Sequence, residues 1–229
     1  MKNLFVRTKN VKGFINLMNN LLKIHSDTPK MGLIYGDPGL GKTHTAVWWT
    51  TKNDEIYVRA QNKMTSKWLL EKIILELGEI PKRKMSEMFE QCINHLRLNP
   101  HIIVVDEVDY LVNSNRAIET LRDIHDMASV PVVLIGMQQA KKRLCTYKHL
   151  YDRISEKLEF QTFNQEDVSI IVDELADVKM TDKVKEIIFE KINRFRQLSK
   201  AISTLENLAQ TNGLLKIEEK HVKGVSFDE

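Results

Sequence analysis

The sequence predicts an α/β fold, a five-stranded parallel sheet flanked by helices, followed by a small helical C-terminal subdomain. Three observations lead there. Short apolar runs alternate with segments whose apolar residues recur every three or four positions. Two of those runs end abruptly, one in a glycine-rich octapeptide and one in a pair of acidic residues. After residue 163 only helical periodicity remains. Strands that alternate with helices form parallel sheets covered on both faces.

The elements follow in order. Residues 11–24 place Val11, Phe14, Ile15, Met18, Leu21 and Leu22 along one side of a helix, with Asn10 as its cap and Asp27-Thr28-Pro29 as its end. Residues 31–35 are a buried strand, 42–51 a helix and 55–59 a second strand. Residues 65–77 form a helix closed by Gly78. Another helix at 86–98 is stopped by Pro100. Residues 101–105 are the third strand, and 115–128 a helix capped by Ser114 or Asn115. Residues 130–135 and 158–161 complete the sheet. Beyond it, 165–176, 182–192 and 194–211 read as three helices, with no further strand. The expected division is therefore 1–163 for the α/β core with its N-terminal helix, and 164–229 for a helical lid and tail.

Composition sets outer bounds. The 229 residues are 42% hydrophobic and 28% charged, as in an ordinary globular chain. No apolar run approaches the roughly 20 residues of a membrane span, and MKNLFVRTKN is not a signal peptide, so a cytoplasmic protein without membrane partners is expected. Cys92 and Cys145 form no CxxC pair and read as free thiols. The histidines lack metal-ligand spacing. A net charge of +3 neither demands nor excludes nucleic acid.

Gly36-Asp37-Pro38-Gly39-Leu40-Gly41-Lys42-Thr43 fits GxxxxGK(S/T) without a mismatch. Glycines let such a loop wrap closely, so that successive backbone N–H groups face phosphate oxygens, and the following helix adds its positive end. Lys42 is placed to reach the β- and γ-phosphates of ATP, Thr43 to bind Mg²⁺, and His44 lies beside them in the same segment. In Ile102-Ile103-Val104-Val105-Asp106-Glu107 a buried strand ends in two carboxylates. Asp106 would hold the Mg²⁺ shell and Glu107 polarise the attacking water. Arg153, just before the fifth strand, is either an arginine finger for a neighbouring subunit or a surface residue paired with Glu156. Arg196 opens the last long helix as a candidate γ-phosphate sensor, with Arg194 competing for the role and a surface position as the plain alternative for both.

GDPGLGKT, IIVVDEVDYL, VPVVLIGM, HLYDRISEKLEF and NRFRQLSKAI, taken together, resemble the AAA+ ATPases of DNA transposition, the target selectors of the Mu B and TnsC type. The likeness covers roughly residues 30–212 and implies a P-loop AAA+ core with a lid. It implies ATP and Mg²⁺ as cofactors, and helical filaments or rings on duplex DNA with little sequence preference. Delivery of that DNA to a transposase, which stimulates a weak ATPase, is implied as well. Two departures matter. The polar sensor at the end of the fourth strand is Met137, for which Gln138 is the neighbouring substitute. About thirty residues precede the first strand, which is short for an added helix-turn-helix region, so DNA binding is expected of the core itself.

Arg59, Lys63, Thr65 and Lys67 follow the second strand, where the resemblance places a DNA-facing loop. Lys82, Arg83 and Lys84, and Lys141, Lys142 and Arg143, are further basic clusters that read as solvated surface. At least one of Trp48 and Trp49 is expected in the core, as is Trp68, rather than stacked on bases. A helicase loader or replication initiator would share these motifs. So would an interaction module that uses ATP as a switch and hardly hydrolyses it.

Overall fold

Five strands form the sheet, β1 (Met31–Gly36), β2 (Ile56–Arg59), β3 (Ile103–Asp106), β4 (Val132–Gly136) and β5 (Ile154–Phe160), of which β1, β3 and β4 are continuously buried and β5 begins four residues before the expected 158. All pair in parallel in the order β2-β3-β4-β1-β5. The computed structural model describes residues 2, 4–25, 28–112, 115–192, 194–222 and 225, with Asn115 through its backbone alone. The expected helix end at Asp27, the cap at Ser114 or the Asn115 side chain, and Asn193 lie outside the described residues.

The chain divides into two units. The sheet unit comprises Gly13–Asp37 and Lys42–Phe160. Its helices are α1 (Lys9–Lys23), whose first turn is counted with the other unit, α2 (Lys42–Asn53), α3 (Ser66–Glu76), α4 (Met85–Leu98), α5 (Asn115–Ala128), α6 (Gln138–Leu144) and α7 (Lys148–Tyr151). Alternate residues of β1 serve the two faces. Met31, Leu33 and Tyr35 join Leu69, Ile73, Met88, Cys92, Leu121 and Ile124 in one core under α3, α4 and α5. On the opposite face a Cβ on Gly32 would touch Leu21 and Leu17 of α1 at 3.0 and 3.1 Å, so glycine lets that helix approach. Phe14 there meets Trp49 at 6.2 Å between ring centroids, which makes Trp49 the tryptophan of α2 that enters the core. Trp68 packs against the first core from its edge.

Helix ends follow local chemistry. Thr65 Oγ1 accepts the Trp68 N–H at 3.2 Å and caps α3, and Gly78 ends it at φ +75°. The cap of α1 differs from the expected one. Thr8 Oγ1, not Asn10, accepts the Val11 N–H, at 3.5 Å, and the helix starts two residues earlier. Asn10 is instead tied to the Gln161 backbone by two bonds, Nδ2 to the carbonyl at 2.8 Å and the amide to Oδ1 at 3.0 Å. Such a long-range pairing leaves no local trace in the sequence.

The second unit comprises Met1–Lys12, Pro38–Gly41 and Gln161–Glu229. It contains α8 (Gln165–Leu175), β6 (Lys179–Met180), α9 (Asp182–Lys191), α10 (Phe195–Thr211), β7 (Lys216–Ile217) and α11 (Glu219–Val222). Asn164 and Asp167 form a reciprocal capping box on α8. Val168, Ile171, Ile188, Leu198, Ile202 and Leu205 fill its core, joined by Val6 from the N-terminal segment. The expectation of no further strand fails here, since β6 and β7 form a parallel two-stranded ladder. Two-residue strands are too short to show alternation.

Candidate nucleotide-binding site

The register of the sheet sets the site. Tyr35 of β1 stands level with Gly136 of β4, and Val105 of β3 with Leu134, so Gly36, Asp106 and Met137 all emerge at one end. At that end β1 runs into the glycine loop. Gly36 has φ +151°, and a Cβ there would lie 2.6 Å from the Phe160 carbonyl oxygen, so only glycine fits. Gly39 and Gly41 take φ +81° and +91°, left-handed backbone that glycine adopts without strain. Asp37 and Pro38 are exposed and Leu40 is buried. Lys42 starts α2, and its Nζ donates to the carbonyls of Gly36 and Asp37 at 2.7 and 2.8 Å. Burial lowers the Lys42 ammonium pKa from the ordinary lysine value, while the charges of Asp106, Asp109 and Asp37 pull the other way. Thr43 and His44 occupy the exposed first turn of α2.

Asp106 ends β3 with its side chain buried, 2% exposed. Oδ1 accepts the Glu107 N–H at 2.8 Å and Oδ2 accepts the Tyr57 hydroxyl at 2.9 Å. Burial, and then the charge of Asp106, raise the Tyr57 phenol well above its usual pKa, so it remains a donor. Glu107 sits at φ +53°, a left-handed position that costs a non-glycine residue about 1 kcal/mol and turns the chain out of the strand. Its carboxylate is paired with the Arg59 guanidinium. Asp109, two residues on, accepts the Met137 N–H at 2.8 Å. Sequence reading missed Tyr57 and Asp109. Alternation along β2 was the available signal for Tyr57, which shares the face of Arg59. For Asp109 it was the acidic residue three places after Asp106.

The remaining candidates fall in different places. Met137 is half exposed and has no side-chain capping bond to α6. Gln138 directs its amide to the Glu159 carboxylate. Arg153 is paired, but with Asp126 rather than Glu156. Its Nε lies 2.9 Å from both Asp126 oxygens, Nη2 lies 2.8 Å from Oδ2, and Nη1 donates to the His149 carbonyl at 2.8 Å. Burial raises the Asp126 pKa, yet the hydrogen bond and charge of Arg153 outweigh it and hold the carboxyl low. Within the second unit, the Phe195 amide donates to the Gly39 carbonyl at 2.9 Å. The Arg194 stem lies 3.7 Å from where a Gly39 Cβ would stand, so Arg194, not Arg196, lies against the loop in that unit. Arg196 is exposed on α10.

The basic loop after β2 is largely engaged. Besides Arg59 on Glu107, Thr65 is the cap of α3 and Lys67 lies 3.9 Å from Glu71. Lys63 is exposed at φ +61°. Lys84 pairs with Glu87 at 3.4 Å, and Lys141 donates to the Tyr35 hydroxyl at 2.7 Å. Lys142 and Arg143 are exposed.

A glycine loop between β1 and α2, with a buried aspartate ending β3, defines a P-loop nucleoside-triphosphate-binding domain. The chain belongs to the AAA domain family, whose model matches residues 24–144, and it is an ATP-binding protein of the AAA+ type. It is 25% identical to a Staphylococcus aureus "Potential ATP-binding protein", over 96% of this chain and 94% of that one. It is 24% identical to the "ATP-dependent target DNA activator B" of Escherichia phage Mu, over 74% of this chain and 55% of that protein, so it matches little more than half of the phage protein's length. Among solved structures the fold is similar to the Aeropyrum pernix ORC2 protein, with TM-score 0.72, 16% identity, and coverage of 97% of this chain and 69% of that one. It is also similar to Pyrobaculum aerophilum CDC6P, with TM-score 0.68, 16% identity, and coverage of 94% and 66%.

Proposed function

We propose that this protein is an ATPase that assembles on duplex DNA in its ATP-bound form, with little sequence preference, and delivers that DNA to a transposase. The observation that carries the ATPase part is the grouping of Lys42, Asp106 and Glu107 at one end of the sheet. The DNA part draws support from the similarity to the phage Mu target DNA activator, and the transposase part from the motifs that resemble the ATPases of DNA transposition.

In this reading Lys42 and the loop amides hold the β- and γ-phosphates, while Thr43 and Asp106 hold Mg²⁺. Asp106 fits that task, since each of its oxygens accepts a single described bond and keeps acceptor capacity. Mg²⁺ supplies the charge that stabilises the transferring phosphoryl group. Glu107 orients the attacking water, but only once Arg59 has left its carboxylate. The Arg59 side chain is 58% exposed, so a DNA phosphate can compete for its guanidinium. That competition couples DNA arrival to turnover. Arg153 acts across a subunit boundary only after exchanging Asp126 for a neighbour's phosphate, and Gln138 reaches nucleotide only after leaving Glu159. Arg194 and Arg196 remain rival phosphate sensors.

The deciding experiment is binding of random-sequence duplex by the purified protein with ATP, ADP or neither, imaged by negative-stain microscopy. ATP-dependent assemblies on any duplex are expected. Absence of duplex binding in every state would reject the DNA reading. A helicase loader or replication initiator, which the fold would serve equally, predicts instead a stable complex with a replicative helicase and preference for single strands or one origin. A pure switch predicts assembly without turnover.

A further inference from the structure

Asp109 is the carboxylate that the proposed mechanism leaves unused. It lies in the 3-10 turn at Val108–Tyr110 that follows the acidic pair. Two observations converge on it. Its Oδ2 accepts the Met137 N–H at 2.8 Å, at the point where β4 passes into α6. A Cβ on Gly136 would come within 2.8 Å of the same oxygen, 2.7 Å of Ala140 Cβ and 2.9 Å of Val108 Cγ1, so glycine is what lets the carboxylate reach this amide. One side chain thus ties the strand end bearing Met137 and Gln138 to the turn that follows the acidic pair.

We infer that Asp109 is a positioning residue for nucleotide turnover. By holding the Met137 amide it fixes the start of α6, and with it the backbone at Gln138, at the end of the sheet where Asp106 lies. Because Met137 offers no polar side chain of its own, the strand end is placed by this hydrogen bond from a neighbouring element. The bond needs an acceptor and does not need the full charge. Asparagine, which keeps an oxygen in place, therefore preserves most of the function, and alanine does not. Gly136→Ala, which drives a methyl group against the same oxygen, has the effect of Asp109→Ala from the opposite side.

The inference rests on the ATPase reading, and one set of measurements separates the two. Steady-state phosphate release and fluorescent-nucleotide affinity are compared for the full-length protein and Asp109→Ala, Asp109→Asn and Gly136→Ala. The expected result is a fall in kcat of at least about tenfold for Asp109→Ala and Gly136→Ala, with nucleotide affinity within about threefold of wild type and Asp109→Asn restoring most of the rate. Hydrogen exchange at the amides of 137–141 should speed up in the first two variants and stay slow in Asp109→Asn. Full activity in Asp109→Ala overturns the inference. So does a loss in Asp109→Asn as deep as in Asp109→Ala, because the charge rather than the tether would then matter. A wild-type protein that binds nucleotide but never turns it over rejects the ATPase reading, and the inference falls with it.

Discussion

Tyr57 and Arg59 stand two positions apart on β2, and each takes one of the two adjacent carboxylates where β3 ends. The two contacts do different work. Tyr57 satisfies a buried oxygen of Asp106, so Tyr57→Phe should cost about 1–3 kcal/mol in denaturant unfolding. Arg59 restrains a half-buried carboxylate, so Arg59→Ala should raise basal ATP turnover several-fold while reducing the further stimulation by duplex DNA. Unchanged basal turnover would show that the ion pair does not hold Glu107 back. Glu107→Gln should retain nucleotide affinity, lose turnover by about a hundredfold and leave ATP-bound assemblies on DNA. His125 is a separate case. Its Nδ1 lies 2.8 Å from the Val130 carbonyl and its Nε2 accepts the Lys30 amide at 3.4 Å, an arrangement that suits the neutral ring. Burial, the largest cause, holds its pKa below the ordinary value. The unfolded chain therefore takes up a proton at about pH 6.5 that the fold resists, and stability declines as pH drops from there toward the folded value. A melting series from about pH 8 to about pH 5 should show a steeper acid slope for wild type than for His125→Gln. Equal slopes would remove His125 from the account.

At the scale of elements, capping gives the sharpest test. Asn164→Ala breaks the reciprocal box on α8 and should cost about 1 kcal/mol, read as a lower denaturation midpoint with unchanged slope. Caps of this kind were only partly legible. Thr65 and Gly78 stand where helical periodicity starts and stops, and both fell at the expected ends of α3. For α1 the apolar pattern begins at Val11, which pointed to Asn10, although Thr8 one turn before Val11 does the capping. The central strands β1, β3 and β4 were readable because burial on both faces makes them continuous apolar runs. The edge strand β5 opens on Ile154-Ser155-Glu156-Lys157, too polar for an apolar run, so the signal in the sequence starts only at Leu158, four residues after the strand begins. In the candidate site the loop glycines, Lys42 and the acidic pair were legible because they are contiguous in sequence. The partners of Glu107, Arg153 and Gln138 come from 21 to 48 residues away, and no local pattern announces them.

For the molecule as a whole, nucleotide binding should appear as stability. A ligand at about 100 times its Kd adds about 2.7 kcal/mol, which for a chain of this size raises Tm by roughly 5–10 °C. Magnesium ATP should produce that shift, growing with concentration, and Lys42→Ala should abolish it. A full shift in that variant would place the nucleotide somewhere other than the glycine loop. The β6–β7 ladder has a practical consequence for anyone trimming the chain. Thr211, at the end of α10, looks like a natural stopping point. Yet the Thr181 amide is bonded to the Ile217 carbonyl at 3.1 Å, and Ile217 and Val222 are both buried in the core of the second unit. A protein cut at 211 would carry β6 as a bare strand edge beside an uncovered apolar floor, and it would be expected to clump during purification. A cut made after Val222 spares both.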